Sequence, residues 1–352
     1  METALAGKSV LVTGAGGFIG RAAVEALTEA GAQVTALGRS RAGLAGLPAG
    51  TRLVTGDLAG AGAALAGQEI LVNLAYDVRA SGAVNLAAFD RLLAATEAAG
   101  VRRIVHASSI VVYDAWPDAD CTEGGSMDRP GGSAYRQAKI AMERRLMAGA
   151  LPAAILQPTI VWGPGSSLWT DGFAEALLAG GVVLPEPEGL CNGVFVADVA
   201  QAVVRAAALH DLGRERFIIS GPAPFAWSAL LQGYAQILGR GEVRRVPVAE
   251  LQRTLGPRPA EGGDSAPSAA ARISALARRA IGHKRFEALV RMAKRRLKPD
   301  GMMVPDHHLL EEFSGRGVCH IDNARTRLGY APDYDLARGL KASEVYLRGL
   351  VR

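Results

Sequence analysis

Cysteine is scarce in this sequence: Cys121, Cys191 and Cys319 are the only three in 352 residues, and they lie far apart. An odd number without a CxxC pair excludes a disulfide scaffold, so we expect the reduced thiols of a cytosolic protein. Long hydrophobic runs are missing as well, since no stretch of about 18 apolar residues is available to span a membrane. The first ten residues lead into a strand-like segment, which leaves no room for a signal peptide. We therefore expect a soluble, cytoplasmic protein.

Acidic residues are nearly absent from one segment of the chain. Residues 272–298 contain ten lysines and arginines against a single acid, Glu287, whereas the rest of the chain carries 29 basic and 33 acidic residues. The net charge of +5 comes from this segment, and a nucleic-acid-binding surface is not expected. A flexible Pro/Gly/Ser-rich loop is predicted at 257–270, and two short amphipathic helices at 271–298. Their positive faces are either solvated or in peripheral contact with an anionic membrane or a phosphate-bearing carrier.

The amino-terminal half alternates between strand-like and helix-like segments. Short apolar runs predict strands at 9–13, 33–37, 52–54, 70–74, 103–107 and 153–157, and an isolated strand at 216–220. Helical spacing predicts helices at 21–30, 86–99 and 135–147. This alternation predicts an α/β fold of the Rossmann type, a doubly wound parallel sheet. We assign residues 1–163 to this dinucleotide-binding domain and residues 164–352 mainly to a smaller, irregular substrate-binding lobe. Strand and helix elements near 195–220 are candidates to belong to the first domain.

A glycine-rich turn, VTGAGGFIG, joins the first predicted strand to the first helix. Gly14 allows the tight turn, Gly17 lets the backbone approach the phosphates of a ligand, and Gly20 lets helix and strand pack closely. A pyrophosphate would sit on the amino terminus of the helix, with Phe18 and Ile19 among its contacts. Because a strand precedes the motif and a helix follows it, the motif predicts a dinucleotide-binding site.

The residues at the end of the second predicted strand decide whether NAD or NADP binds. An acidic residue there would bind the ribose hydroxyls of NAD, but no acid occurs in residues 30–56. Arg39 and Arg41 follow the strand instead and are suited to a 2′-phosphate. NADP(H) is therefore the predicted cofactor, with NAD as the alternative. Asp57, followed by Leu58, is placed after the third strand to meet the adenine amino group.

A tyrosine and a lysine, Tyr135 and Lys139, are four residues apart in YRQAK on a predicted helix. Their side chains share one helical face, and the positive charge is expected to lower the pKa of the phenol. Such a tyrosine is a candidate general acid/base for interconverting a carbonyl and an alcohol. A hydroxyl group of the serine pair that follows the fifth predicted strand, Ser108-Ser109, can hold the substrate oxygen. A serine, Tyr135 and Lys139 together predict a Ser-Tyr-Lys catalytic site.

These motifs resemble the extended short-chain dehydrogenase/reductases, the NAD(P)-dependent epimerase/dehydratase family. Its landmarks follow in order along nearly the whole chain: VTGAGGFIG, NLA (73–75), VRRIVHASSIVVYD (101–114), YRQAK (135–139), LQPTIVWGPG (156–165), FVADVAQA (195–202) and RLGYAPDYDLARGL (327–340). The resemblance implies that Ser109 is the catalytic serine, Tyr135 the acid/base, and Lys139 its partner and a ribose ligand. Further cofactor contacts that it implies are Leu74, Ala75, Pro158 and Thr159, the last two along the nicotinamide.

Two departures from the family pattern narrow the expected reaction. Dehydratases of this family carry an Asp-Glu pair directly after the catalytic hydroxyl residue, where this chain has Ile110 and Val111, so a 4,6-dehydratase is not expected. Many nucleotide-sugar members carry an arginine where this chain has Cys191, and the preceding Glu186 and Glu188 would repel a phosphate. A UDP- or GDP-sugar is therefore not expected to bind in the usual way, unless an arginine of the carboxy-terminal lobe substitutes.

Structural roles are expected for several other conspicuous residues. His307 and His308 would point to opposite faces of a strand and lack a third spaced ligand, so no metal site is predicted. His106 is expected to pack in the core. Burial is also the default expectation for three aromatic residues that are candidates to line a substrate cleft, Trp162, Trp169 and Trp227.

The predicted function is that of an NADP(H)-dependent oxidoreductase that interconverts a ketone and a secondary alcohol, for example on a sugar or a carrier-linked substrate. A nucleotide-sugar epimerase with a retained NAD(P) uses the same residues and is the first alternative. A non-catalytic scaffold that binds the cofactor is the alternative from another class, and the complete Ser-Tyr-Lys set counts against it. The expected partner is a small-molecule substrate, and a homodimer is compatible with the sequence.

Overall fold

The computed structural model describes residues 4–258 and 301–351. The strands of its central sheet are β1 (Ser9–Thr13), β2 (Gln33–Gly38), β3 (Arg52–Thr55), β4 (Ile70–Asn73), β5 (Arg103–Ala107), β6 (Ala153–Pro158) and β11 (Arg214–Ile219). They pair in parallel in the order β11-β6-β5-β4-β1-β2-β3. The chain moves outward from β1 in both directions, so the strand order reverses at β1, where ligands bind in open parallel sheets.

The helices of the described residues are α1 (Phe18–Glu29), α2 (Gly62–Leu65), α3 (Gly82–Ala98), α4 (Ala134–Ala148), α5 (Phe173–Ala179), α6 (Val196–Ala208), α7 (Trp227–Leu238), α8 (Val248–Leu255), α9 (His307–Ser314), α10 (Asp322–Leu328) and α11 (Leu336–Gly349). Of these, α1 and α6 cover one face of the central sheet, and α3 and α4 cover the other. Alternate residues of β1 point to opposite faces: Val10 and Val12 pack in the core with α1 and α6, and Leu11 packs in the core with α3 and α4. The near-continuous apolar strands follow from burial on both faces.

Outside the central sheet, the described chain forms three smaller sheets and a cluster of aromatic side chains. The short strands are β7 (Ile160–Trp162) with β10 (Gly193–Phe195), β9 (Leu190–Cys191) with β12 (Phe225–Ala226), and β8 (Gly180–Glu186) between β13 (Glu242–Pro247) and β14 (Gly301–Met303). Trp227 is fully buried, and its ring centroid lies 4.9 Å from that of Phe313 and 5.5 Å from that of Trp169. Trp162 is buried as well. The tryptophans therefore stabilise the core of this region.

The predicted Rossmann-type parallel sheet is confirmed, and its first six strands lie within a residue or two of their predicted ends. The expectation of an isolated strand at 216–220 is wrong, because β11 pairs with β6 as the edge strand of the main sheet. Three consecutive residues at the end of β11, Phe217 to Ile219, are fully buried there, which explains the pairing. The proposed domain boundary after Gly163 stays a prediction.

Parts of the chain that the sequence singled out are outside the described residues. They are 259–270 of the predicted loop and the whole basic segment 271–298. Across residues 4–258 and 301–351, no helix is both long enough and apolar enough to cross a membrane. The three cysteines, all described, are free and buried.

Candidate active site

The carboxyl ends of β1, β4, β5 and β6 lie along one edge of the sheet. The segments that follow these strands carry Gly14, Ala75, Ser109 and Thr159. Ligands of open parallel sheets bind at this edge, near the point where the strand order reverses. The residues predicted from separate motifs of the sequence are therefore brought to one side of the fold.

The glycine turn is shaped by close approaches of the backbone. Gly14 has a φ of +68°, and a Cβ atom on it would lie 2.9 Å from the backbone nitrogen of Ala75. A Cβ atom on Gly20 would overlap the carbonyl oxygen of Gly14. Gly17, the residue before α1, is exposed, and a Cβ atom there would meet only the Gly14 oxygen, at 3.2 Å. Packing thus requires glycine at 14 and 20, whereas Gly17 leaves space in front of the helix amino terminus.

Arg21, in the first turn of α1, holds the loop after β2 against the glycine turn. Its guanidinium donates hydrogen bonds to the carbonyl oxygens of Gly16 (3.3 Å), Gly43 (2.5 Å) and Ala45 (3.0 Å). Arg21 is not among the residues that the sequence motifs predicted. A cation at a helix amino terminus is unfavourable, because the helix dipole is positive there. An arginine at this position therefore indicated that its side chain has a specific partner.

The two arginines after β2 are exposed at the edge of this region. Nη1 of Arg39 lies 2.8 Å from Oδ2 of Asp77, in the loop after β4, and Arg79 Nε lies 3.2 Å from the other carboxylate oxygen. Partial burial raises the pKa of Asp77, but hydrogen bonds from Arg79 and the charges of Arg79 and Arg39 outweigh it, and the net effect is a lowered pKa. Arg41 is also exposed. The predicted 2′-phosphate ligand Arg39 thus has an acidic partner that the sequence did not reveal.

The other predicted cofactor contacts surround the same edge. Asp57 accepts a hydrogen bond from the backbone nitrogen of Gly60 at 2.9 Å, and Leu58 packs on the core between the sheet, α3 and α4. Pro158 ends β6, and the Thr159 hydroxyl donates to the backbone at the end of β11 at 3.4 Å. Four half-buried residues complete the set around the glycine turn: Phe18, Ile19, Leu74 and Ala75.

The three predicted catalytic side chains lie together between β5 and α4. Ser109 lies beside Tyr135, and its hydroxyl group favours the ionised form of the phenol. Nζ of Lys139 donates to the carbonyl oxygen of Ala107 at 2.6 Å and lies 5.7 Å from the centroid of the Tyr135 ring. Tyr76 packs edge-on against Tyr135, with ring centroids 4.9 Å apart, and its centroid is 5.0 Å from Lys139 Nζ. Tyr76 is therefore a fourth member of the cluster, which the sequence motifs did not predict.

Burial sets the protonation of this cluster. It raises the pKa of Tyr135 to about 12, with an opposing contribution from the Ser109 hydroxyl and a reinforcing one from Tyr76. It lowers the pKa of Lys139 to about 8, against the negative charge of Glu143. The expected lowering of the phenol pKa by lysine is wrong for this structure, because desolvation dominates and the ammonium group bonds to backbone. Tyr135 keeps its proton at neutral pH and is thereby suited to donate it.

Arg136, the neighbour of Tyr135, fixes the segment that follows β5. It is 6% exposed, donates to the carbonyl oxygens of Val111 (3.1 Å) and Val112 (3.2 Å), and forms an ion pair with Asp114. A buried guanidinium is tolerated only when its donors are satisfied in this way. This role of Arg136 was not predicted, since an arginine inside YRQAK is equally compatible with a solvated helix surface.

The residues that depart from the family pattern have defined surroundings in the structure. Ile110 is buried and begins a 3₁₀ turn directly after Ser109, so an apolar side chain occupies the first dehydratase position. Glu188 accepts hydrogen bonds from the Ser228 hydroxyl (2.7 Å) and from Arg245 (2.6 Å). The expectation that Glu188 repels a phosphate must be corrected, because the arginine compensates its charge.

The histidines take structural positions. His307 and His308 begin α9 and do not lie on a strand as predicted, because Asp306 caps the first turn by accepting a backbone hydrogen bond at 2.8 Å. Within the ranges 4–258 and 301–351, no three His, Cys, Asp or Glu residues are grouped so as to hold a metal ion. His106 is buried on β5, with Nδ1 3.0 Å from Asn73 Nδ2.

Comparison with known proteins identifies the family. The model of the NAD dependent epimerase/dehydratase family matches residues 10–220, more than half of the chain. The chain belongs to this family. The match includes the glycine turn, the serine pair after β5 and the Tyr-Lys pair of α4, and it ends at the close of β11.

Reductases and epimerases are among the similar proteins. The 3-diazoavenalumate denitrifying reductase of a Streptomyces species is 31% identical over 274 residues, which cover 70% of this chain and 87% of that protein. The 2-alkyl-3-oxoalkanoate reductase of Stenotrophomonas maltophilia is 31% identical over 183 residues, 47% of this chain and 54% of that protein. The structure of the UDP-glucuronic acid 4-epimerase of Bacillus cereus in complex with NAD has a TM-score of 0.69, 15% identity and 97% coverage of both chains, a likeness of fold. This epimerase/dehydratase-family chain is an NAD(P)-dependent enzyme.

Proposed function

We propose that this family member is an NADPH-dependent reductase that converts a ketone into a secondary alcohol. The proposal rests on the grouping of Ser109, Tyr135 and the ammonium group of Lys139 at the carboxyl edge of the sheet. One hydroxyl group can bind a carbonyl oxygen through a hydrogen bond, and the other can give that oxygen its proton.

Each of the three side chains has one task in the reduction. The Ser109 hydroxyl donates a hydrogen bond to the substrate carbonyl oxygen and holds it. Tyr135, with its pKa raised to about 12, gives its proton to that oxygen as negative charge develops there. Lys139 is positive below its pKa of about 8 and stabilises the phenolate that is left. A bound nicotinamide dinucleotide supplies the hydride for the carbonyl carbon.

The glycine turn fits a dinucleotide. The space in front of the exposed Gly17 lies at the amino terminus of α1, where unpaired backbone N–H groups and the helix dipole favour an anion. We assign the pyrophosphate to this position. The adenosine then extends toward the end of β2, where Arg39, Arg41 and Asp57 are exposed.

The choice of NADPH rests on the arginines at the end of β2. Arg39 is paired with Asp77 across two exposed side chains, and such surface pairs contribute at most about 1 kcal/mol. The guanidinium is therefore free to exchange this partner for a 2′-phosphate, with which it forms stronger, bidentate hydrogen bonds. NAD lacks that phosphate and gains nothing from the exchange.

A 3-oxoacid is the substrate class that we infer. One relative is named a 2-alkyl-3-oxoalkanoate reductase, and it is 31% identical to this chain over 183 residues. Elimination of water is not part of the proposal, because Ile110 and Val111 carry no proton-transferring group.

The proposal is tested by following NADPH oxidation with a series of 2-alkyl-3-oxoalkanoates of increasing chain length. We expect one NADPH to be consumed for each hydroxy product formed, and no consumption by the Tyr135→Phe variant. No oxidation of NADPH or NADH across the series would contradict the substrate class. Interconversion of a UDP-sugar without net change of the cofactor would identify the epimerase alternative, the activity named for the structurally similar protein of Bacillus cereus.

A further inference from the structure

A third titratable residue continues the stripe of Tyr135 and Lys139 along α4. Glu143 follows Lys139 by four residues, which places the two side chains on the same face, one turn apart. Glu143 is fully buried, with 0% of its surface exposed. A carboxylate in this setting is costly unless donors and positive charge surround it.

Donors from three different elements converge on the Glu143 carboxylate. The Ser108 hydroxyl donates at 2.5 Å, the Gln157 amide at 2.9 and 3.1 Å, and Arg216 Nε at 2.6 Å. These residues come from the end of β5, from β6 and from β11. All of the contacts are donors to oxygen, which is the environment of an ionised carboxylate and not of a protonated one.

Two of these partners are direct neighbours of residues assigned to the proposed site. Ser108 precedes Ser109, and Gln157 precedes Pro158. The third, Arg216, has a side chain that is 18% exposed, so its charge is only partly hydrated. The network therefore fixes a negative charge beneath the proposed catalytic cluster, at a position closed to solvent.

We propose that Glu143 is a positioning residue for the proposed reduction: its buried negative charge keeps Lys139 protonated. The inference rests on the proposed function, because Lys139 is the residue through which Glu143 acts. The ammonium group sits in a desolvated position and would lose its proton readily without a nearby anion. Its hydrogen bond to the carbonyl oxygen of Ala107 supplies a dipole but no full charge.

The charges around Lys139 come from several elements. On α4 they are Tyr135 and Glu143; the loop after β4 adds Tyr76, and β5 adds His106, whose pKa is lowered first by burial and then by Lys139. The phenols and the imidazole are neutral at neutral pH, so Glu143 provides the negative charge that acts on Lys139. Arg216 lies behind it on β11 and compensates part of that charge.

The test measures the pKa of Lys139 directly. The full-length chain has six lysines, so a ¹³C-lysine-labelled protein gives few side-chain signals, and the one lost in Lys139→Met is that of Lys139. We expect Glu143→Gln to lower the midpoint of this signal, near 8 in the parent protein, by roughly one unit or more. At pH 8 the protonated fraction would then drop from about one half to about one tenth.

Ser108→Ala is the matched control, since it removes a hydrogen bond to Glu143 and leaves the charge in place. The midpoint of Lys139 should not fall in this variant. An unchanged midpoint in Glu143→Gln, or an equal fall in both variants, would overturn the inference. If Glu143→Gln is poorly folded, Glu143→Gln/Arg216→Met removes both members of the buried pair and should still lower the midpoint, by less than Glu143→Gln because the opposing charge of Arg216 is removed too.

The titration contains neither substrate nor cofactor, so its outcome is independent of the proposed function. A lowered Lys139 midpoint together with no ketone reduction would refute the proposed function alone. Ketone reduction together with an unchanged midpoint would refute the role of Glu143 alone.

Discussion

Two ion pairs at the carboxyl edge of the sheet have similar geometry and very different surroundings. Arg216 and Glu143 are 2.6 Å apart, with side chains 18% and 0% exposed. Arg39 and Asp77 are 2.8 Å apart, with side chains 63% and 38% exposed. The first pair lies beneath the proposed catalytic cluster, and the second lies at the rim where we place the adenosine.

The difference shows how the two parts of the site are built. A buried pair cannot be broken without leaving a desolvated charge, so the catalytic side is rigid and its residues depend on one another. A surface pair is screened by water and easily exchanged, so the rim can change its ligand preference with little effect on folding. Stability and catalysis should therefore be coupled beneath the cluster and separable at the rim.

The largest effect is expected from breaking the buried pair. Arg216→Met should lower the free energy of unfolding by roughly 3–5 kcal/mol, nearer the lower value because Ser108 and Gln157 still donate to Glu143. The matched exposed change, Arg39→Met, should cost less than about 1 kcal/mol. Urea unfolding of both variants measures the contrast. Equal losses would show that the two regions do not differ as described.

A second buried carboxylate, Glu312, has no ionic partner among residues 4–258 and 301–351 and extends the comparison. Burial raises its pKa from 4.5 to about 7, Trp116 donates to Oε1 at 3.0 Å, and Oε2 has no hydrogen-bond partner within the same ranges. The folded protein holds this proton more tightly than the unfolded chain, so stability is lost as the pH rises from about 4.5 to 7. Glu312→Gln removes this loss, and should stabilise the protein by as much as roughly 3 kcal/mol above pH 7.

Thermal unfolding of the parent and of Glu312→Gln across this pH range measures the effect. The two proteins should differ least below the pKa of the unfolded carboxyl and most above neutral pH. A difference that stays constant with pH would mean that the ionisation of Glu312 is not its source.

The next effect concerns chemistry on the buried side. Tyr135→Phe keeps the ring against Tyr76 and removes the proton, so turnover should fall by at least about 100-fold while NADPH binding is retained. Single-turnover kinetics and fluorescence titration of the cofactor separate the two quantities. Turnover near that of the parent would exclude Tyr135 as the proton donor.

The smallest effect is expected at the rim. NADPH should bind about tenfold more tightly than NADH, about 1.4 kcal/mol, and Arg39→Ala should remove most of this preference without changing stability. Asp77→Asn is the matched control, since it frees Arg39 from its acidic partner and should leave the preference intact or increase it. Equal affinities of the parent protein for the two dinucleotides would exclude the assignment of Arg39.

Much of the central fold is predictable because its pattern is local. The alternation of Val10, Leu11 and Val12 between two buried faces, followed by the glycine turn, indicates a parallel strand and its helix within twenty residues. The pairing of β11 with β6 depends on residues about sixty positions apart, and β9 and β12 are too short for any periodicity. Long-range contacts decide these elements, and the sequence pattern does not contain them.

The residues of the candidate site differ in the same way. Spacing predicts Tyr135, Lys139 and the serine pair 108–109, since a strand end and one helical face are local features, and the family resemblance selects Ser109. Arg136 and Glu143 escape prediction because their burial is decided by partners on other elements. The pKa of Tyr135 was expected in the wrong direction for the same reason, since the surrounding burial outweighs its neighbour on the helix.

The central claim is that Tyr135 and a bound nicotinamide cofactor together reduce a carbonyl group. The most direct measurement uses NADPH deuterated at the transferred position and a 2-alkyl-3-oxoalkanoate, with mass spectrometry of the product. One deuterium at the new carbinol carbon for each NADPH oxidised, and none with Tyr135→Phe, is the predicted result. Unlabelled product, or labelled product formed at the same rate by Tyr135→Phe, would contradict the account.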